Sequence, residues 1–196
     1  MGIAIYPGSF DPPTLGHLDI IKRSAAQFDE VVVCVMNNGQ KPSQMFTPYE
    51  RSVLLKTAVK NIKNVRISIY SGLLTDYIKK FHAPIIIRGL RAMTDFEYEF
   101  QMALVNKKLD SKFETMFMVA DDKYTYLSSS AVRELAKFGA DLSAFVPAEI
   151  IGAIQCKIDR NVKPSPFVIT RSQTLLTKAE STDFLPSGTE SFGNSM

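Results

Sequence analysis

Ile3-Ala4-Ile5-Tyr6-Pro7-Gly8-Ser9-Phe10-Asp11-Pro12-Pro13-Thr14-Leu15-Gly16-His17 is the stretch that decides the fold. Four apolar residues of strand character, Ile3 to Tyr6, run into a glycine-containing turn that delivers a histidine to the start of an amphipathic helix. Gly8 and Gly16 carry no Cβ, so main chain can approach a ligand closely there. The first helical turn adds unpaired N–H groups and the positive end of the helix dipole. Strand, turn and helix together make a phosphate site, and His17 would face the same anion.

Working outward, apolar runs of strand length recur at 30–36, 65–70, 84–87 and 115–119, each separated from the next by a helical-looking stretch. Alternation of this kind predicts a parallel sheet. The near-continuous valine and isoleucine of Val31-Val32-Val33 and Ile85-Ile86-Ile87 suits strands covered by helices on both faces. The expected fold is therefore α/β, a Rossmann-like parallel sheet of five strands.

Helix starts are written in chemistry. Thr47-Pro48-Tyr49-Glu50 combines a Thr N-cap, Pro at the first helical position and Glu at the third, and predicts a helix to about Lys60. From Asp95, the residues Phe96, Phe100, Ala103 and Leu104 keep helical spacing, with Glu97, Gln101, Lys107 and Lys108 on the polar side. A further helix opens at Ser128-Ser129-Ser130 and stops near Gly139, and another follows Pro147 to about Ile158. Beyond Arg160 the composition turns to Ser, Thr, Pro and Gly without sustained period. The division expected is one domain over 1–159 and a disordered tail over 160–196.

With 45% hydrophobic and 22% charged residues, the 196-residue chain has enough apolar material for one core of ordinary size. A formal net charge of +3 with no long basic block argues against nucleic acid as a partner and fits small anionic ligands. No apolar run approaches the roughly 20 residues of a membrane span, and no targeting or acylation signal is evident at the N-terminus. Cys34 and Cys156 lie in apolar contexts without metal-ligand spacing, and both are expected as buried free thiols of a reducing compartment. A cytoplasmic protein with no membrane partner is the expectation.

Ligands of open α/β sheets collect outside the carboxyl ends of the strands. There the chain carries Ser9 and His17, then Lys41, then Gly72-Leu73-Leu74, then Arg88-Gly89-Leu90-Arg91, and finally Tyr124 to Ser130. His17, Lys41, Arg88 and Arg91 would bring up to four cations to one rim, and such a rim suits phosphates. Neither a P-loop nor a Gly-x-Gly-x-x-Gly fingerprint is present. Each residue also has an ordinary structural use. A histidine at a helix start can be a cap, the arginines can form surface ion pairs, Glu99 can be a solvated helix-face carboxylate, the serines can be an N-cap, Leu74 can be packing, and His82 can sit in an exposed loop.

Gly8-Ser9-Phe10-Asp11-Pro12 with Thr14-Leu15-Gly16-His17 resembles the first motif of the nucleotidyltransferase superfamily that shares the Thr/His-x-Gly-His signature, and Leu127-Ser128-Ser129-Ser130 resembles its second. Ile87-Arg88-Gly89-Leu90-Arg91-Ala92 and Asp95-Phe96-Glu97-Tyr98-Glu99 are similar to bacterial phosphopantetheine adenylyltransferases, over about residues 2–158. The resemblance implies transfer of AMP from ATP to 4′-phosphopantetheine, giving dephospho-coenzyme A and pyrophosphate, with Mg2+ assisting and no metal ligand assigned among the side chains. It implies acceptor contacts at Ser9, Lys41, Leu74 and Arg88. It implies ATP contacts at Ser9, Phe10, His17, Gly89, Leu90, Arg91, Glu99, Tyr124, Thr125, Tyr126, Leu127, Ser128, Ser129 and Ser130. His17 is implied as transition-state stabiliser beside Lys41 and Arg91, coenzyme A as feedback inhibitor, and a homohexamer as the assembly. One departure stands out: the loop Gln40-Lys41-Pro42-Ser43-Gln44-Met45-Phe46 is longer than the family's usual Lys-Lys-Pro before Phe.

Two other readings stay open on the residues alone. A relative in the same superfamily would use nicotinamide mononucleotide or a small phosphorylated alcohol as acceptor, or CTP as donor. A catalytically silent nucleotide-binding module would use the tail as its interaction element. A class I tRNA synthetase fragment is disfavoured by the short length, the weak positive charge and the lack of a Lys-Met-Ser-Lys-Ser-like string.

Overall fold

Five strands, β1 (Ile3–Gly8), β2 (Glu30–Met36), β3 (Val65–Tyr70), β4 (Ile85–Leu90) and β5 (Glu114–Val119), pair in parallel in the order β3-β2-β1-β4-β5. The structure is a computed structural model and describes residues 2–37, 44–81 and 85–161. Helices α1 (Leu15–Ala25), α2 (Pro48–Ala58), α3 (Leu74–Ile78), α4 (Met93–Leu109), α5 (Ser129–Lys137) and α6 (Ala148–Asn161) complete it. The fold is the α/β arrangement expected, with an all-parallel sheet.

Alternation along each strand sorts the core into layers. Ala4, Tyr6, Val31, Val33, Val35 and Ile87 pack with Ile20 and Ile21 of α1 and Leu55 of α2. The intervening Ile5, Val32, Cys34 and Ile86 pack with Tyr77 and Ile78 of α3 and with Phe113. Val31 to Val35 are fully buried because both faces are covered, which is why their sequence is continuously apolar rather than alternating. A third cluster joins Leu54 of α2, Val132 of α5, and Ile150 and Ile154 of α6.

The winding places the site. The chain steps outward from β1 to β2 and β3, then returns to the far side of β1 for β4 and β5, so the direction reverses between β1 and β4. β1 follows β2 as far as Gly8↔Val35, yet is in register with β4 only at Ala4↔Ile85 and Ile5↔Ile86. Past Ile5 the two central strands part, and a crevice opens between their carboxyl ends.

Several expectations shift. β1 runs through Pro7 to Gly8, beyond the predicted end at Tyr6, because pairing with β2 continues there. β4 extends to Leu90 rather than Ile87, since its ladder with β5 continues through Gly89↔Met118 and Leu90↔Val119. Arg88, Gly89 and Leu90 therefore belong to the strand instead of following it. Helix α4 begins at Met93, two residues before Asp95, and leaves its apolar residues uncovered: Phe100, Leu104 and Val105 are all exposed. Cys34 is buried as expected, whereas Cys156 is exposed on α6, so the buried-thiol reading holds for only one of the two. The 160–196 tail, apart from the last turn of α6, lies outside the described residues, as do Lys41 and His82. No helix among the described residues is long and apolar enough to cross a membrane.

Candidate active site

Thr14 caps α1 in an unusual way. Its Oγ1 accepts the His17 N–H at 3.3 Å, and its own main-chain N–H donates to His17 Nδ1 at 3.0 Å. That is a capping box in which an imidazole takes the place of the usual Glu or Gln. Because Nδ1 accepts this N–H, the neutral ring carries its proton on Nε2. Burial pulls the His17 pKa down to about 4, and the nearby Arg91 charge pushes in the same direction. His17 is thus an uncharged donor at neutral pH, where the sequence had allowed a cation.

The ring is held from the side by Phe10, at 5.1 Å between centroids and edge-on, and Phe10 meets Tyr6 in the same manner at 5.3 Å. Phe10 is 1% exposed and has φ 50, in the left-handed region that a bulky residue seldom adopts. Gly8 is required by this packing, because a Cβ there would sit 2.8 Å from Phe10 Cζ. Burial also raises the Tyr6 phenol well above its ordinary pKa, so the hydroxyl stays neutral.

Around these groups lies a cleft of about 300 Å³ between the ends of β1 and β4 and the start of α5. Phe10, His17, Arg88, Gly89, Arg91, Glu99, Leu127, Ser128, Ser129 and Ser130 line it, so the imidazole and both guanidinium groups share one space. Ten of the expected site residues are brought together. Ser9 is exposed beside the cleft rather than part of its lining, and Leu90 is buried beneath it. Tyr124 backs Gly16, and Tyr126 stacks edge-on against Phe145 in a neighbouring apolar groove. Leu74 packs against the α3 side of the core, and Thr125 bonds back to the Asp122 carbonyl. Lys41 lies outside the described residues.

The arginines are not free cations. Arg88 donates through Nε to Glu99, on α4, and its Nη1 lies 3.4 Å from the Pro7 carbonyl. Glu99 is therefore not a solvated helix-face carboxylate: its Oε2 is held by Arg88 while the residue still lines the cleft. Arg91 forks onto Asp95 at 3.0 and 3.2 Å and gives a third bond to the Leu127 carbonyl. A guanidinium has five N–H donors, so two on Arg91 remain for a ligand. The paired carboxylates offset much of the charge that the sequence had gathered on this rim, and they fix the guanidinium planes instead.

The serines divide their work. Ser128 Oγ caps α5 by accepting the Ala131 N–H at 3.0 Å, Ser129 Oγ donates to the Pro12 carbonyl at 2.8 Å, and Ser130 Oγ accepts from Arg133 at 3.2 Å. Ser129 has thus given its O–H away, whereas Ser128 and Ser130 only accept and keep their O–H donors, so the anion-binding capacity of this segment lies in those two hydroxyls and in the first-turn N–H groups of Ser129 and Ser130, which have no intrahelical acceptor. Sequence reasoning missed Asp95 as the partner of Arg91, and Arg51 and Arg133 altogether. The Asp95 spacing from Arg91 was visible, but only the bend from β4 into α4 turns it into a fork.

Among the described residues no group of three His, Cys, Asp or Glu side chains could hold a metal ion. The carboxylates that line the cleft, Asp95 and Glu99, are each bound by an arginine.

Residues 5–135 match the cytidylyltransferase-like family. Over 147 residues the chain is 56% identical to the phosphopantetheine adenylyltransferase of Caldanaerobacter subterraneus, spanning 75% of this chain and 91% of that protein. It is 52% identical over 161 residues to the enzyme of the same name from Clostridium tetani, spanning 82% and 99%. A solved structure, of a putative nicotinate-nucleotide adenylyltransferase from Vibrio parahaemolyticus, superposes with a TM-score of 0.60 at 18% identity, covering 82% of this chain and 93% of that one. That likeness speaks to the fold. Identities of this size over three quarters or more of the chain, with the family match over 5–135, make the chain a nucleotidyltransferase and a member of the phosphopantetheine adenylyltransferase family.

Proposed function

We propose that the protein transfers the adenylyl group of ATP to 4′-phosphopantetheine in coenzyme A biosynthesis, by direct in-line attack and without a covalent enzyme intermediate. A phosphate oxygen of the acceptor forms the new bond to the α-phosphorus, the bond to the bridging oxygen of the β-phosphate breaks, and pyrophosphate leaves with that electron pair. The acceptor phosphate has a second pKa of about 6 and is mostly a dianion at neutral pH, so no general base is needed. Charge repulsion is the barrier to offset.

The observation that carries this reading is the single tautomer of His17: Thr14 occupies Nδ1, leaving Nε2–H as the donor to the cleft. A neutral, preorganised donor stabilises the extra charge on a pentacoordinate α-phosphate without exchanging its proton. Arg88, oriented by Glu99, and Lys41 hold the acceptor phosphate, with Ser9 and Leu74 further along the acceptor. Arg91 and the start of α5 hold the β- and γ-phosphates, and Gly89, Leu90 and the 124–127 stretch flank the nucleotide. Asp95 and Glu99 each pair with an arginine, and Mg2+ bound to the ATP phosphates would supply the charge that offsets the departing pyrophosphate.

Pyrophosphate release from ATP, measured with 4′-phosphopantetheine, nicotinamide mononucleotide and a simple phosphorylated alcohol in turn, tests the assignment. Turnover is expected with the first alone. ATP binding by calorimetry with no product from any acceptor would mean a silent nucleotide-binding module. Added coenzyme A is expected to lower initial rates by competing for the cleft.

The expected assembly is a homohexamer, and the exposed apolar residues of α4, with Met93 77% and Leu109 56% exposed, support a contact between copies over this face. Leu104→Glu should shift the mass measured by light scattering to a smaller species. An unchanged mass would remove α4 from the interface.

A further inference from the structure

We propose that Arg51 is a positioning residue for the transfer reaction: from behind the cleft its buried guanidinium holds the Ser9 carbonyl, and so sets the Phe10 ring that orients His17. This role rests on the adenylyl-transfer reading above.

Arg51 lies on α2, is 0% exposed, and does not line the cleft. Its Nη1 donates to the Ser9 carbonyl at 2.7 Å, while Nε and Nη2 have no hydrogen-bond acceptor among the described residues. A guanidinium buried on one good bond is a poor way to gain stability, since an apolar side chain of similar volume commonly does as well or better. What the residue holds is therefore more informative than that it is held. The nearest compensating charge is Asp11, whose carboxylate is itself buried and accepts the Met45 and Phe46 N–H groups at 2.9 Å.

The held segment is the one that needs holding. Phe10 keeps a left-handed backbone without being glycine, which persists only where the surroundings over-determine it. The carbonyl before it is fixed by Arg51 and the carbonyl after it, that of Asp11, is fixed by Arg133. Neither arginine lines the cleft, and they arrive from two different helices, α2 and α5. Between these two fixed points the Phe10 ring has one place to go, against Tyr6 on one edge and His17 on the other. A chain of contacts thus runs from Arg51 through Ser9 and Phe10 to the imidazole. Displacements near 1 Å at a reacting centre cost up to about 10²-fold in rate.

The test is a double-mutant cycle on the full chain, with kcat and the KM for ATP measured for Arg51→Met, Arg51→Lys and His17→Ala, and for each Arg51 variant combined with His17→Ala. Arg51→Met is expected to lower kcat roughly 10- to 100-fold with the KM for ATP changed less than about threefold, and to add less than about twofold once His17 is absent. Arg51→Lys, which keeps a donor for the Ser9 carbonyl, is expected to recover part of the loss. Equal losses in both backgrounds, or wild-type kcat in a folded Arg51→Met protein, overturn the role. If circular dichroism shows Arg51→Met unfolded, the Arg51→Lys and Arg133→Met cycles decide by the same criterion, with additive losses again overturning it. No turnover by the unmodified chain rejects the reaction itself, and this role with it, before any variant is made.

Discussion

The main-chain N–H of Thr14 donates to His17 Nδ1 at 3.0 Å, and the same residue's hydroxyl accepts the His17 N–H, so one N-cap fixes both the start of α1 and the tautomer of the imidazole. The histidine needs no charge to act, only an Nε2–H held in place. His17→Ala should therefore lower kcat by about 10² to 10³ while leaving the KM for ATP little changed. Steady-state kinetics checks this, and near wild-type turnover by the variant would take His17 out of the mechanism.

The low His17 pKa has two consequences for pH dependence. With the folded value near 4 and the ordinary value near 6.5, the unfolded chain binds a proton that the folded chain does not between those limits. Stability from this group is full above about pH 6.5 and is lost as pH falls toward about 4. Denaturant titrations should show wild type weakening across that window more steeply than His17→Gln. The kcat profile should show no imidazole inflection between pH 6 and 8; a titration of activity that disappears in the His17 variant would contradict a neutral donor.

Gly8→Ala places a Cβ 2.8 Å from a ring that is itself wedged between Tyr6 and His17. Phe10 is 1% exposed and braced by both of those rings, so it can yield only by disturbing them or by moving into the cleft it lines. The expected outcome is a destabilisation of about 1 to 3 kcal/mol, from overpacking, and a kcat at least about tenfold lower. Thermal unfolding and turnover of the same sample measure both.

Arg88 and Glu99 form a partly buried pair, at 23% and 18% side-chain exposure, so removing one strands the other. Arg88→Met should cost about 1 to 3 kcal/mol of stability and raise the KM for 4′-phosphopantetheine. Pairing it with Glu99→Met should recover stability but not the KM. Recovery of both would show that Arg88 serves only the fold.

Much of the local structure could be read from neighbours along the chain. Thr47 and Glu50 close their capping box as the spacing predicts, and Val31 to Val35 form a strand covered on both faces. Ser128 caps its helix as expected. The end of β4 was misjudged because Arg88 and Gly89 are poor strand residues in isolation, and only the ladder to Phe117 and Met118 keeps them extended. Helical spacing left a solvated Glu99 open beside an ATP contact, because the partner that excludes the solvated reading comes from a strand eleven residues earlier.

Residue order alone was enough to specify the βα alternation, the glycine turn that brings Thr14 and His17 together, and the family motifs, because capping, turn chemistry and apolar periodicity act over a few residues. Folding in three dimensions settled the protonation of His17, the pairing of Arg88 with Glu99 and Arg91 with Asp95, and the bracing of Phe10 by Arg51 and Arg133. Those depend on water being removed and on groups from separate elements meeting in space, and neither desolvation nor such meetings are encoded in the spacing of any one segment.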